Sequence, residues 1–136
     1  MKIILILIVV LLLAIQFVPV DRTNPPVKAE IDAPANVKAI FKKACYDCHS
    51  NETVWPWYSY IAPVSWLIAD DVEEGRDHLN FSGWENLSRQ DKAKKKDKIW
   101  EEIEKDDMPL GKYRFMHPGA KLSQKEKDII KDWAGE

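Results

Sequence analysis

Cys45-Tyr46-Asp47-Cys48-His49 is a C-x-x-C-H stretch, and its reading decides what kind of fold the chain must build. The pattern is that of covalent c-type haem attachment. Each thiol adds across one vinyl group of the porphyrin, and the adjoining imidazole falls beneath the iron as proximal ligand. The two intervening residues let both sulfurs face one side of a short turn. The chain has two cysteines and both lie in this motif, so no thiol remains for another role. Four other readings compete. A dithiol redox pair belongs in a strand–helix–strand setting, and no such pattern occurs here. A zinc site needs four ligands, and the three histidines, His49, His78 and His117, lack finger spacing. A chance match, or a disulfide in an exported domain, leaves the directly following histidine without a purpose.

The rest of the composition sets the frame. With 136 residues, 46% hydrophobic and 31% charged, the chain has room for one domain. A formal net charge of −2 gives no argument for nucleic-acid binding. Six tryptophans are many for this length, and a large flat cofactor is one reason to need them; filling a small core is the other.

The amino terminus carries Lys2 and then an unbroken apolar run from Ile3 to Ile15, continuing through Gln16-Phe17-Val18-Pro19-Val20. As one helix, residues 3–20 would reach about 27 Å at roughly 1.5 Å per residue, just short of the ~30 Å hydrocarbon core. The run is read as a transmembrane helix or signal anchor over 1–20, retained rather than cleaved because no small-residue cleavage site follows it directly. Residues 21–34, with Asn24-Pro25-Pro26, read as an extended linker, and 35–136 as the domain proper. The expected location is the cell membrane, with the domain on the periplasmic or other extracytoplasmic side, where c-type attachment is completed and free thiols would otherwise oxidise.

Within the domain the pattern is helical. Val37, Ile40, Phe41 and Ala44 share one face of a first helix that leads into Cys45. Ser50 to Tyr60 is an aromatic loop, expected either to lie against the haem or to pack the core. Pro63 opens a second helix with Val64, Leu67, Ile68 and Val72 on its apolar side, and His78 beyond it is read as a solvated or capping residue. Phe81 and Trp84 anchor a turn. Ser88 to Asp91 resembles a capping box opening a third helix to about Lys105, with Ala93, Lys96, Ile99, Trp100 and Ile103 inward and its lysines placed early, against the helix dipole. Ser123 to Glu126 is a full capping box opening a last helix through Trp133. Between these two helices stands Met108-Pro109. A methionine on a loop leaving a helix is well placed to offer a thioether to a metal, so Met108 is the first choice as sixth ligand, with Met116 and His117 as runners-up.

Taken together, Cys45-Tyr46-Asp47-Cys48-His49-Ser50-Asn51, Trp55-Pro56-Trp57-Tyr58, Ala62-Pro63-Val64-Ser65-Trp66, Met108-Pro109, His117-Pro118 and Leu122-Ser123…Trp133 resemble the small haem-binding domain family related to class I cytochromes c. The resemblance runs over most of the domain and differs from many cytochromes c in its longer, tryptophan-rich middle. It implies an all-α, cytochrome c-like haem fold in which the amino- and carboxyl-terminal helices cross near the haem edge. It also implies one covalent haem c on Cys45 and Cys48, with His49 and Met108 as axial ligands.

The expected function is one-electron transfer by a membrane-tethered carrier, with membrane or periplasmic redox proteins as partners and no catalytic residues of its own. A filled His/Met site is the arrangement of electron carriers with raised potentials. The alternative is a peroxidase-like or gas-binding haem protein with an open sixth position, and a third possibility is an assembly factor.

Overall fold

The face written as Val37, Ile40, Phe41 and Ala44 is buried along its whole length in the helix Ala35–Ala44. The computed structural model describes residues 1–135, which form seven α-helices and four 3-10 turns, with no strand among the described residues. In chain order the helices are α1 (Lys2–Ala14), α2 (Ala35–Ala44), α3 (Tyr46–His49), α4 (Val64–His78), α5 (Arg89–Glu104), α6 (Gly111–Met116) and α7 (Gln124–Ala134). The all-α expectation holds. The connection through Tyr113 contains one helix, α6, that apolar spacing did not signal.

One aromatic stack organises the core. Phe41 of α2 lies 4.6 Å from Phe81, which in turn lies 5.4 Å from Tyr46, and the edge of Trp133 meets Phe41 at 5.1 Å. Ile99 and Ile103 of α5 and Ile130 of α7 close the same cluster. Ala93, expected on the inner side of α5, is exposed instead. Three early lysines of α5 have partners on other elements, Lys92 pairing with Glu85. Lys96 lies 4.3 Å over the Trp133 ring, and Lys95 donates to the carbonyl of His78 at the end of α4. Cation–π contact and capping of a carboxyl-terminal carbonyl offset the unfavourable dipole placement. The α7 capping box forms as written, Ser123 receiving the Glu126 amide and Glu126 receiving the Ser123 amide.

The amino-terminal residues depart from expectation. α1 ends at Ala14, a 3-10 turn covers Ile15–Phe17, and Val18 is already extended. Pro19 supplies the reason, because the residue before a proline is pushed out of the helical region. Thirteen residues of helix reach about 20 Å, and no helix among the described residues is long and apolar enough to cross a membrane. The expected transmembrane helix over 3–20 is thus not formed.

Residues 21–34 form no helix or strand and are strapped to the domain. Ala29 and Ile31 donate to the carbonyls of Ser82 and Phe81, Glu85 donates back to Ala29, and Ile31 is fully buried. Arg76 adds a second fastening through the Thr23 carbonyl and the Asn24 side chain.

Truncation inside the stack should be far costlier than truncation outside it. Phe81→Ala is expected to lower stability by about 3–5 kcal/mol. Phe115→Ala, at a residue 83% exposed, should stay within about 0.5 kcal/mol. Urea unfolding of the two variants against the parent measures both.

Candidate functional site

α2 runs into the motif without a break. The Cys45 amide still donates to Phe41, and the amides of Cys48 and His49 both donate to the Cys45 carbonyl. One turn of helix therefore carries Cys45, Cys48 and His49 at i, i+3 and i+4, which places them on one side. The two intervening residues point elsewhere and hold the turn in place. Tyr46 is buried in the aromatic stack with its hydroxyl donating to Glu30. Asp47 accepts from the Val54 amide with one oxygen and from the Tyr113 hydroxyl with the other.

All three motif residues face a cavity of about 640 Å3, within the range of small-molecule and cofactor sites. Gly75 and His78 of α4, Ile99 and Ile103 of α5, and the segment Met108-Pro109-Leu110 form its walls. Lys112 of α6 bonds Asp71 of α4 at 2.7 Å, and both residues line the same space.

The imidazole of His49 is fixed by backbone alone. Its Nδ1 lies 2.8 Å from the Gly75 carbonyl and 3.1 Å from that of Leu79. Both neighbours are acceptors, so Nδ1 carries the proton and Nε2 keeps its lone pair. A contact of this kind is what orients a histidine that binds a metal through its other nitrogen. Burial lowers the His49 pKa, opposed by the bonds to Gly75 and Leu79, which favours the uncharged ring. α4 comes this close because position 75 has no side chain. A Cβ there would stand 2.6 Å from the Cys48 carbonyl oxygen.

Burial above all, helped at Cys45 by the neighbouring Cys48 and at Cys48 by Asp71 and Asp47, pushes both thiols up to about 12. A dithiol redox pair works through a depressed thiolate pKa, so this environment speaks against that reading. No group of three or more metal-binding side chains occurs among the described residues, which leaves the zinc reading without a ligand set.

Of the expected sixth-position residues, Met108 lies on the cavity wall and the runners-up do not. Met116 is exposed. His117 shares a 2.6 Å hydrogen bond with Tyr58 and stacks on Tyr113 at 4.4 Å. His78, read as solvated or capping, is exposed yet borders the cavity. The aromatic loop from 50 to 60 contributes nothing to the cavity lining, and no tryptophan lines it. Trp84 and Trp133 belong to the core, Trp57 and Trp66 are exposed, and Trp55 Nε1 is buried with no acceptor. The tryptophans thus serve packing and surface rather than a cofactor wall. Sequence reading missed Gly75 as a cavity residue; its position inside an otherwise regular helix, where glycine is unfavourable, was the available signal.

The donor set and the space fit haem: two thiols and a neutral imidazole on one helical turn, with a thioether on the wall of the same cavity. The family model for a haem-binding domain matches residues 10–136. The chain belongs to that family and is a haem-binding protein. No curated protein and no solved structure matches it.

Gly75→Ala forces α4 away from Cys48, because the obstructing atom is backbone. Overpacking of this kind costs about 1–3 kcal/mol and shifts the acceptors of His49. Haem content per chain, read from the Soret absorbance, should fall in this variant and stay at the parent level in Gly83→Ala, where an added Cβ meets nothing within 4 Å.

Proposed function

We propose that this haem-binding domain is a one-electron carrier of the cytochrome c type, with the haem held by thioether bonds to Cys45 and Cys48. The observation that carries the proposal is the meeting of Cys45, Cys48, His49 and Met108 on one cavity. The first three come from one turn, and the fourth arrives from sixty residues away in the chain (48 to 108).

When bound, the haem supplies an Fe(III)/Fe(II) couple. The chain's part would be to hold the group through Cys45, Cys48, His49 and Met108, all of which face the one cavity. His49 offers Nε2 from a ring whose tautomer and orientation are set by Gly75 and Leu79. Met108 offers a soft thioether from the wall formed with buried Pro109; His/Met ligation raises the potential relative to harder ligand sets. Because His49 sits on a helical turn and Met108 beside buried Pro109, both side chains would be held in place whichever oxidation state the group had. Ile99 and Ile103 supply an apolar surface that favours the less charged, reduced state.

The proposed setting is extracytoplasmic and at the membrane. It is supported by the exposed apolar helix α1 and by the chemistry of attachment, which requires reduced thiols to meet haem outside the reducing cytoplasm. Residues 3–20 then serve export and membrane association without a spanning helix, and the electron partners are membrane or periplasmic redox proteins.

Optical spectra of the purified holoprotein, oxidised and reduced, with and without carbon monoxide, test the reading. A filled His/Met site gives a reduced spectrum unchanged by carbon monoxide and a near-infrared sulfur-to-iron band in the oxidised form. Met108→Ala should abolish that band, lower the potential and open the site to carbon monoxide, while Met116→Ala leaves all three unchanged. Rapid carbon monoxide binding by the parent protein would favour the peroxidase-like or gas-binding alternative.

A further inference from the structure

Residues 54–67 contain no Asp, Glu, Lys or Arg, in a chain that is 31% charged. The stretch covers the 3-10 turn Trp57–Tyr60 and the first turn of α4, and much of it faces outward. Trp57 is 72% exposed and Leu67 59%, with Tyr60, Ile61, Val64 and Trp66 also exposed. The α4 face that periodicity assigned to the core is therefore split: Val72 is buried, while Val64 and Leu67 are uncovered.

This surface has a fixed neighbour. Gln16, at the foot of the apolar α1 and its 3-10 extension, donates from Nε2 to the Ala62 carbonyl at 3.1 Å and accepts the Ala62 amide at 2.9 Å. Arg22, six residues on, donates to the Ser59 carbonyl at 2.7 Å and lies 4.6 Å over the Tyr60 ring. The chain leaving α1 is thus fastened at 59–62, and α1 cannot enter an apolar phase without bringing this face to its boundary.

We infer that the face built from Trp57–Tyr60 and the start of α4 rests on the surface of a phospholipid bilayer, beside the point where α1 enters it. This rests on the membrane setting proposed above and adds an orientation to it: the domain lies flat on the lipid and is not held off by a flexible spacer. Two observations select lipid as the occupant. α1 is apolar all round, from Ile3 to Ala14, which suits immersion in hydrocarbon rather than one seam against a protein. Tryptophan and tyrosine with one wet and one apolar end are the side chains that populate the bilayer interface, and Arg22 stands beside Tyr60 where lipid phosphates would lie.

The test uses the full holoprotein bound to vesicles of phosphatidylcholine that contain a photoactivatable analogue with a diazirine near the glycerol end of the acyl chain. Labelled positions are found by peptide mass spectrometry. Labelling is expected in α1 and in the peptide spanning 57–67, with α5 around Ala93 unlabelled. In Trp57→Glu/Leu67→Glu, label in 57–67 should fall several-fold while α1 remains labelled and the haem spectrum is unchanged. A vesicle-bound holoprotein labelled in α1 alone overturns the orientation and leaves the membrane setting standing. Failure to bind vesicles overturns both, without touching the haem reading. Protection of 57–67 by an intermolecular cross-link to a second copy assigns the face to a dimer and also overturns the inference.

Discussion

The contact on which the site depends is between two pieces of backbone and one ring: the carbonyls of Gly75 and Leu79 facing Nδ1 of His49. It decides the tautomer, and so which nitrogen is free. It also requires α4 to pass against Cys48 at a separation that no side chain at position 75 permits. A helix packed that tightly fixes the motif in space, and the cavity forms between it, α5 and the Met108 segment.

Around this contact the polar groups form a brace. Arg76, one residue beyond Gly75, donates to the Ser50 carbonyl and the Thr53 hydroxyl, and reaches the strap through Thr23 and Asn24. Ser50, buried next to His49, bonds back to Tyr46, and Ser82 receives the Asn51 amide. The chain following the motif is thus tied to α4 and to the amino-terminal strap, and the buried Ser50, Thr53 and Ser82 hydroxyls all have hydrogen-bond partners, as burial demands. The x positions of the motif take part as well, Tyr46 through the core and Asp47 through Tyr113.

How much of this could be read from sequence depends on range. The helical turn of the motif, the α2 stripe and the Ser123–Glu126 capping box are local patterns, and each formed where the spacing placed it. Met108 was separable from Met116 and His117 by its local setting on a loop before proline, but its place on the cavity wall is a tertiary fact. The acceptors of His49 were not legible, because a carbonyl carries no residue label and Gly75 lies 26 positions away. Periodicity identified an apolar face on α4 but could not say what covers it, and Val64 and Leu67 proved uncovered. The length of the apolar run suggested one long helix; Pro19 ended it early through its effect on Val18.

Covalent attachment of haem through Cys45 and Cys48 is the proposal most directly open to test. The most direct measurement is the mass of the denatured chain after co-expression with a c-type haem-attachment system, read together with alkylation of its thiols. The expected result is a chain heavier by one haem that survives denaturation, with neither Cys45 nor Cys48 alkylated. A colourless chain of unmodified mass with both thiols alkylated would contradict it.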